Sequence, residues 1–217
     1  MSTMWLPVAQ EQRVDVLGEL GVKTREVWIA LHGYGQLVAY FQRHFRACVT
    51  EQRAFVFPQG QHKFYLNGVS GRVGASWMTK DEREKDIENQ RRYLSEVMRF
   101  MRKQCPNARF HLVGFSQGVA TGMRFLGYSP EAFTSVLAWA GSWPPDLDAK
   151  GLNALREVQF QGWFGDDDPF IGAEKQREIL EWYRSEYEWV PEVGYYEGGH
   201  AFDKAILKSE IERLERL

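Results

Sequence analysis

The stretch FHLVGFSQGVATGMRF, residues 110–125, decides the fold. Its first four residues form an apolar run of strand length, and residues 117–126 carry a helical pattern. Only Gly114-Phe-Ser-Gln-Gly118 stands between them. A turn this short strains its central residue and needs small neighbours to avoid clashes. It lifts the Ser116 hydroxyl above a sheet edge, and the helix N-terminus turns the Gln117 N–H toward developing negative charge. A serine here is either a plain turn residue or a nucleophile, and the rest of the chain has to choose.

Apolar runs of strand length recur on both sides, at residues 27–31, 54–57, 135–140, 158–164 and 193–196. Most are near-continuous rather than alternating, as in strands covered on both faces. Residues 14–20 alternate in part and predict an edge or antiparallel strand. Helical patterns fill the gaps at residues 82–104, 117–126, 173–187 and 201–217. Phe41, Phe45 and Val49 predict another helix. Strand and helix thus alternate, the pattern of an α/β domain with a mostly parallel sheet. No repeat or linker divides the chain, so residues 1–217 are expected to form a single domain. Residues 59–77, with four glycines, read as a long loop.

Composition narrows the function classes. The chain has 217 residues, a formal net charge of −2 and 26% charged residues, which gives no hint of a nucleic-acid partner. Cys48 and Cys105 make no disulfide framework and read as small apolar residues on two helices. The first residues lack a basic start and a long apolar run, so no signal peptide is visible. Nothing approaches the roughly 18 apolar residues of a membrane span. Stable membrane insertion is therefore not expected, and a cytoplasmic location is. Oligomeric state is left open.

A nucleophilic serine needs a base, and the base an orienting acid; in this architecture the chain order is Ser, then Asp or Glu, then His. Downstream of Ser116 the only histidine is His200, in Gly198-Gly-His-Ala-Phe202 after a strand. Gly165-Asp-Asp-Asp-Pro169 supplies the acid. Asp168 is the choice, with Asp166 and then Asp167 as alternatives, since an Asp-Pro turn also uses aspartate. An oxyanion site needs a second N–H besides that of Gln117. Leu31-His-Gly-Tyr-Gly-Gln36 follows a strand, and Tyr34 is the expected donor. His32 reads as structural, and His44, His62 and His111 as structural or solvent-exposed. His32, Ser116, Trp143, Asp168 and His200 each follow a different predicted strand, the edge where open parallel sheets build sites. Ser116 is then expected to attack an acyl carbonyl and pass its proton to His200, with water releasing the acyl group.

Leu31-His-Gly-Tyr-Gly35, Gly114-Phe-Ser-Gln-Gly118, Gly165-Asp-Asp-Asp-Pro169 and the late His200 together resemble the phospholipase/carboxylesterase family of α/β-hydrolases, which includes the acyl-protein thioesterases. Ser76-Trp77 and Ser142-Trp-Pro-Pro145 agree with it. The resemblance implies an α/β-hydrolase fold with little or no separate cap, ester or thioester hydrolysis, and no cofactor or metal. It favours Asp168 as the acid. The chain departs from the family pattern at Val119, where a second glycine is usual, at Trp77-Met-Thr79, and at Phe170-Ile-Gly172.

Phe64, Tyr65, Trp77, Trp143 and Phe170 are expected to bind substrate, because aromatic walls suit an apolar acyl or aryl group. The preferred reading is a serine carboxylesterase acting on short- or medium-chain esters, with a small-molecule substrate. The alternatives are acyl-protein thioesterase or lysophospholipase-like activity, a non-catalytic ligand-binding protein on a hydrolase fold, and acyl transfer to an alcohol or peroxide.

Overall fold

The strands at residues 27–31 and 110–113 lie side by side at the centre of a seven-stranded sheet. The structure is a computed structural model and describes residues 3–129 and 133–216. Met1 and Ser2 of the N-terminal stretch, and Leu217 of the last predicted helix, lie outside the described residues.

The strands are β1 (Val14–Leu17), β2 (Glu26–Leu31), β3 (Arg53–Pro58), β4 (His62–Tyr65), β5 (Val73–Ser76), β6 (Arg109–Phe115), β7 (Ser135–Trp139), β8 (Gln159–Gly165) and β9 (Glu192–Tyr196). The helices are α1 (Val38–Phe41), α2 (Arg83–Gln104), α3 (Gln117–Leu126), α4 (Ala149–Glu157), α5 (Ala173–Tyr187) and α6 (Lys204–Arg216). The sheet order is β1-β3-β2-β6-β7-β8-β9. Only β1 runs antiparallel, pairing Val14 with Pro58 at the edge.

The continuous apolar strands follow from two buried faces. Val27, Ile29 and Leu31 enter one core with Leu94 and Met98 of α2, Met123 of α3 and Ile179 of α5. Trp28 and Ala30 enter the opposite core with Phe41, Phe45 and Leu207, Ile211 and Leu214 of α6. Alternate residues of each strand thus face different helix layers, and neither face is left to water.

Four elements differ from expectation. Residues 59–77 are not one long loop: β4 and β5 form a hairpin there, pairing His62 with Ser76 and Tyr65 with Val73. Its strands are four residues each, and β5 contains Gly74, so their propensity is weak. The helix predicted from Phe41, Phe45 and Val49 is a single α turn continued by a 3-10 helix, Gln42–Cys48. Sequence reading also missed α4, whose first turn is capped by Asp148 Oδ1 accepting from the Gly151 N–H at 2.8 Å. The last helix starts at Lys204 instead of residue 201, where Asp203 accepts from the Ala205 and Ile206 N–H groups.

Candidate active site

Ser116 sits between β6 and α3 with φ 53 and ψ −118, a left-handed conformation rare for a side chain other than glycine. Close packing imposes it. A Cβ on Gly118 would lie 2.1 Å from the Leu31 carbonyl oxygen, and one on Gly114 would lie 2.7 Å from that of Gly118. Both must be glycine for α3 to turn back over β2. Val119, which departs from the family pattern, fits because its Cγ2 occupies the space a Cβ of Gly141 would need, at 2.3 Å.

Three loops at the C-terminal edge of the sheet meet here. Ser116 Oγ lies 2.9 Å from His200 Nε2, and His200 Nδ1 lies 2.7 Å from Asp168 Oδ2. The carboxylate accepts at Nδ1, so Nε2 is free to accept the serine proton. Asp168 is buried, and its other oxygen accepts from the N–H groups of Phe170 at 2.8 Å and Ile171 at 3.0 Å. Those donors are backbone, so the departures at Phe170 and Ile171 do not disturb them. Asp166 does something else: its Oδ1 accepts the Gly198 N–H at 2.8 Å and ties the two loops together. The Asp167 N–H donates to the Gly198 carbonyl at 3.1 Å. The Tyr196 hydroxyl donates to the Gly199 carbonyl and fixes the loop that carries His200.

Tyr34 lies in a turn in which the Gln36 N–H donates to the Gly33 carbonyl at 3.2 Å. His32 buttresses that turn from beneath. The Gly60 N–H donates to His32 Nε2 at 2.8 Å, so Nδ1 carries the proton and donates to the Gly33 carbonyl at 2.7 Å. The Gly33–Tyr34 peptide is thus gripped at its oxygen by two donors. Burial pushes the His32 pKa down to about 4, against a smaller upward pull from the Gly33 carbonyl. Gln36 was missed by sequence reading; its Oε1 accepts the Gly33 N–H at 2.8 Å. The Gln117 side chain was missed too. It bonds Ser76 Oγ, the Trp77 N–H and the Met78 carbonyl, joining α3 to the end of the hairpin. The Gln117 N–H is the first of its helix and has no intrahelical acceptor.

The predicted substrate-binding aromatics divide. Phe170 is 74% exposed, with its ring 4.8 Å from that of His200. Tyr65 is exposed, and the Phe64 ring packs at a tilt against Tyr34, centroids 5.0 Å apart. Trp77 and Trp143 do not reach this rim. Trp77 is fully buried, its indole N–H donating to the His32 carbonyl, and Trp143 packs among Phe160, Phe164 and Tyr183. Their positions after strands look alike in sequence, but a buried acceptor and an aromatic cage draw them into the core.

The sequence profile of the phospholipase/carboxylesterase family matches residues 17–216. The chain belongs to that family. Membership makes it a hydrolase of the carboxylesterase or thioesterase type. No curated protein sequence matches the chain. Solved structures do match in fold. Acyl-protein thioesterase 2 of Zea mays is 12% identical with a TM-score of 0.69, covering 94% of this chain and 99% of that one. The Bacillus cereus carboxylesterase is 15% identical with a TM-score of 0.68, covering 94% of each chain. Esterase PE8 is 17% identical with a TM-score of 0.67, covering 94% of this chain and all (100%) of that one. The fold is that of the α/β-hydrolases, with a mostly parallel sheet and, among the described residues, no separate cap. Among the described residues no helix is long and apolar enough to cross a membrane.

Proposed function

We propose that the chain is a serine carboxylesterase that hydrolyses short- or medium-chain carboxylic esters through an acyl-enzyme on Ser116. The observation that carries this reading is the unbroken contact from Ser116 Oγ through His200 to the buried Asp168 carboxylate. Ser116 Oγ attacks the acyl carbonyl as His200 Nε2 takes its proton, and Asp168 holds the ring and stabilises the imidazolium. The N–H groups of Tyr34 and Gln117 receive the oxyanion. His200 returns the proton to the leaving alcohol, and water, deprotonated by the same imidazole, then releases the acid. None of these steps uses a cofactor.

The exposed rings of Phe170, Tyr65 and Tyr34 favour an apolar acyl or aryl group at the mouth. We read the protein as a single domain acting in the cytoplasm on small molecules. The test is a panel of esters and thioesters of rising chain length on the purified protein, with Ser116→Ala as control. Turnover of short and medium esters that vanishes in the variant is the expected result. Labelling of Ser116 by a phosphonate without turnover would instead mean a binding protein, and thioesters outrunning esters would move the chain to the thioesterase reading.

A further inference from the structure

The wall of the site on the oxyanion side is unusually poor in acid. Between Val27 and Lys80 the sequence holds six Lys or Arg and a single carboxylate, Glu51, in a chain whose net charge is −2; of the six, Arg53 is paired with Glu215 at the other edge of the sheet. This stretch builds the Tyr34 turn, α1, the 3-10 helix and the β4–β5 hairpin. A pocket of about 400 Å³ opens among them, lined by Gln36, Tyr40, His44, Leu66, Arg72 and Val73, with no carboxylate in its lining. That volume suits a small organic group. Arg72 is exposed beside it, and its guanidinium has no ionic or hydrogen-bond partner among the described residues.

The pocket has a definite relation to the chemistry. Gln36 on its wall holds the Gly33 N–H, one residue before the proposed oxyanion donor. Phe41 and His44 on its floor pack against Phe202, with ring centroids 6.0 Å and 5.3 Å apart. Phe202 is two residues beyond His200, and both rings pack at a tilt against Phe115. The pocket therefore adjoins the oxyanion turn on its Gln36 side, where a Cβ on Gly33 would lie 3.3 Å from Gln36 Oε1 and 3.1 Å from Ser116 Cβ. A leaving alcohol departs on the side of the base, because the base must hand it a proton.

We propose that this pocket takes the alcohol portion of an ester whose alcohol bears a carboxylate, and that Arg72 selects it. The inference rests on the serine esterase reading above. A guanidinium presents paired donors that match a carboxylate in two parallel hydrogen bonds. Leu66 and Val73 supply apolar surface for the carbon frame between the charge and the ester oxygen. In the step concerned, the Ser116 Oγ–acyl bond forms and the bond from the acyl carbon to the alcohol oxygen breaks. The proton on His200 Nε2 passes to that oxygen, so the product is a neutral hydroxyl with its carboxylate still held by Arg72.

The test compares 3-carboxyphenyl butyrate with its uncharged isostere, 3-carbamoylphenyl butyrate. The ratio of their kcat/KM values is expected to favour the carboxylate about 10-fold and to fall with added salt. Arg72→Gln should bring the ratio close to one, and Arg72→Lys should keep part of it. A wild-type ratio near one, or a ratio that survives Arg72→Gln, overturns the proposal. If neither ester turns over, the esterase reading fails and the pocket is judged separately by titration calorimetry with 3-hydroxybenzoate. Binding lost in Arg72→Gln then supports the pocket, and no binding by wild type, or equal binding by both proteins, removes it.

Discussion

The described residues contain two serine–histidine–carboxylate relays, one at each end of the parallel sheet. At the C-terminal edge Ser116, His200 and Asp168 are joined by contacts of 2.9 Å and 2.7 Å. At the N-terminal edge Ser135 Oγ lies 2.7 Å from His111 Nδ1, and His111 Nε2 lies 2.7 Å from Glu26 Oε2. The functional groups are the same and the distances nearly so. Their settings are not. Ser135 and His111 are fully buried (0% exposed), whereas His200 reaches the surface beside the exposed Phe170. Ser135 begins a regular strand, whereas Ser116 is held at positive φ at a helix N-terminus. The lower relay fills a polar gap where strands meet α6, next to the Arg53–Glu215 ion pair and the Trp28 indole that also bonds Glu215. Contact within a trio is therefore common to both roles. Access, backbone strain and a helix N-terminus set the upper trio apart from the lower one, and under the proposed function they are what make a trio reactive rather than structural.

The largest expected effect tests that separation directly. Ser116→Ala should lower kcat by about 10⁵- to 10⁶-fold, the scale seen when a triad nucleophile is lost. The far-ultraviolet spectrum and melting temperature should stay close to wild type, since the hydroxyl is at the rim. Retention of more than a hundredth of the wild-type rate would sink the assignment of the upper relay.

The acid gives the second contrast. Asp168→Asn should cost about 10⁴-fold in kcat, because an amide stabilises the wrong tautomer and cannot balance the imidazolium. Asp166→Asn removes only part of a loop tie to the Gly198 N–H, and an amide oxygen can still accept there. Its loss should be under about 10-fold. Steady-state kinetics on the two variants decide, and the reverse order would move the acid to Asp166.

Much of this was legible in the sequence because the relevant signals are local. The strand, elbow and helix around Ser116 are contiguous, and Gly114 and Gly118 announce the close approach. The order Ser, Asp, His named the residues that meet, although 84 positions separate Ser116 from His200. The lower relay was not legible. His111 stood alone in the chain, and its partners come from strands 85 and 24 residues away. The same limit hid the Trp77 and Trp143 environments and the side-chain grip of Gln36 and Gln117. Propensity also failed where tertiary pairing overrides it, as in the β4–β5 hairpin, which leans on the Tyr34 turn through a Gly35 N–H bond to the Ala75 carbonyl at 2.8 Å.

His32 belongs to the upper edge but behaves like the lower relay, and pH exposes it. Its folded pKa of about 4 lies below the ordinary 6.5, so the folded state keeps it neutral. Its contribution is complete above pH 6.5, where both states are unprotonated. As pH falls below 6.5 the unfolded chain binds a proton that the folded protein refuses. Stability should then decline by about 3 kcal/mol by pH 4. Urea midpoints of wild type and His32→Gln across that window should show a shallower slope in the variant. Parallel slopes would mean that His32 does not titrate as its burial implies.

Ser135→Ala is the smallest expected change and the sharpest comparison with Ser116→Ala. With His111 Nε2 donating to Glu26, Nδ1 is an acceptor, and the Ser135 hydroxyl is its donor. Removing the hydroxyl leaves a buried ring nitrogen unpaired, at a cost of about 1–2 kcal/mol. Glu26 makes the effect sensitive to acid. Burial alone would raise its carboxyl, but hydrogen bonds from His111 and Arg109 outweigh that and hold it below its usual value of 4.5. Its stabilisation is present above that value and is lost as pH falls through the lower folded one. Ser135→Ala should therefore lower the urea midpoint at neutral pH and leave kcat/KM for esters where it was. A loss of activity with stability preserved would show that the two ends of the sheet are coupled, and the contrast between a reactive and a structural trio would no longer hold.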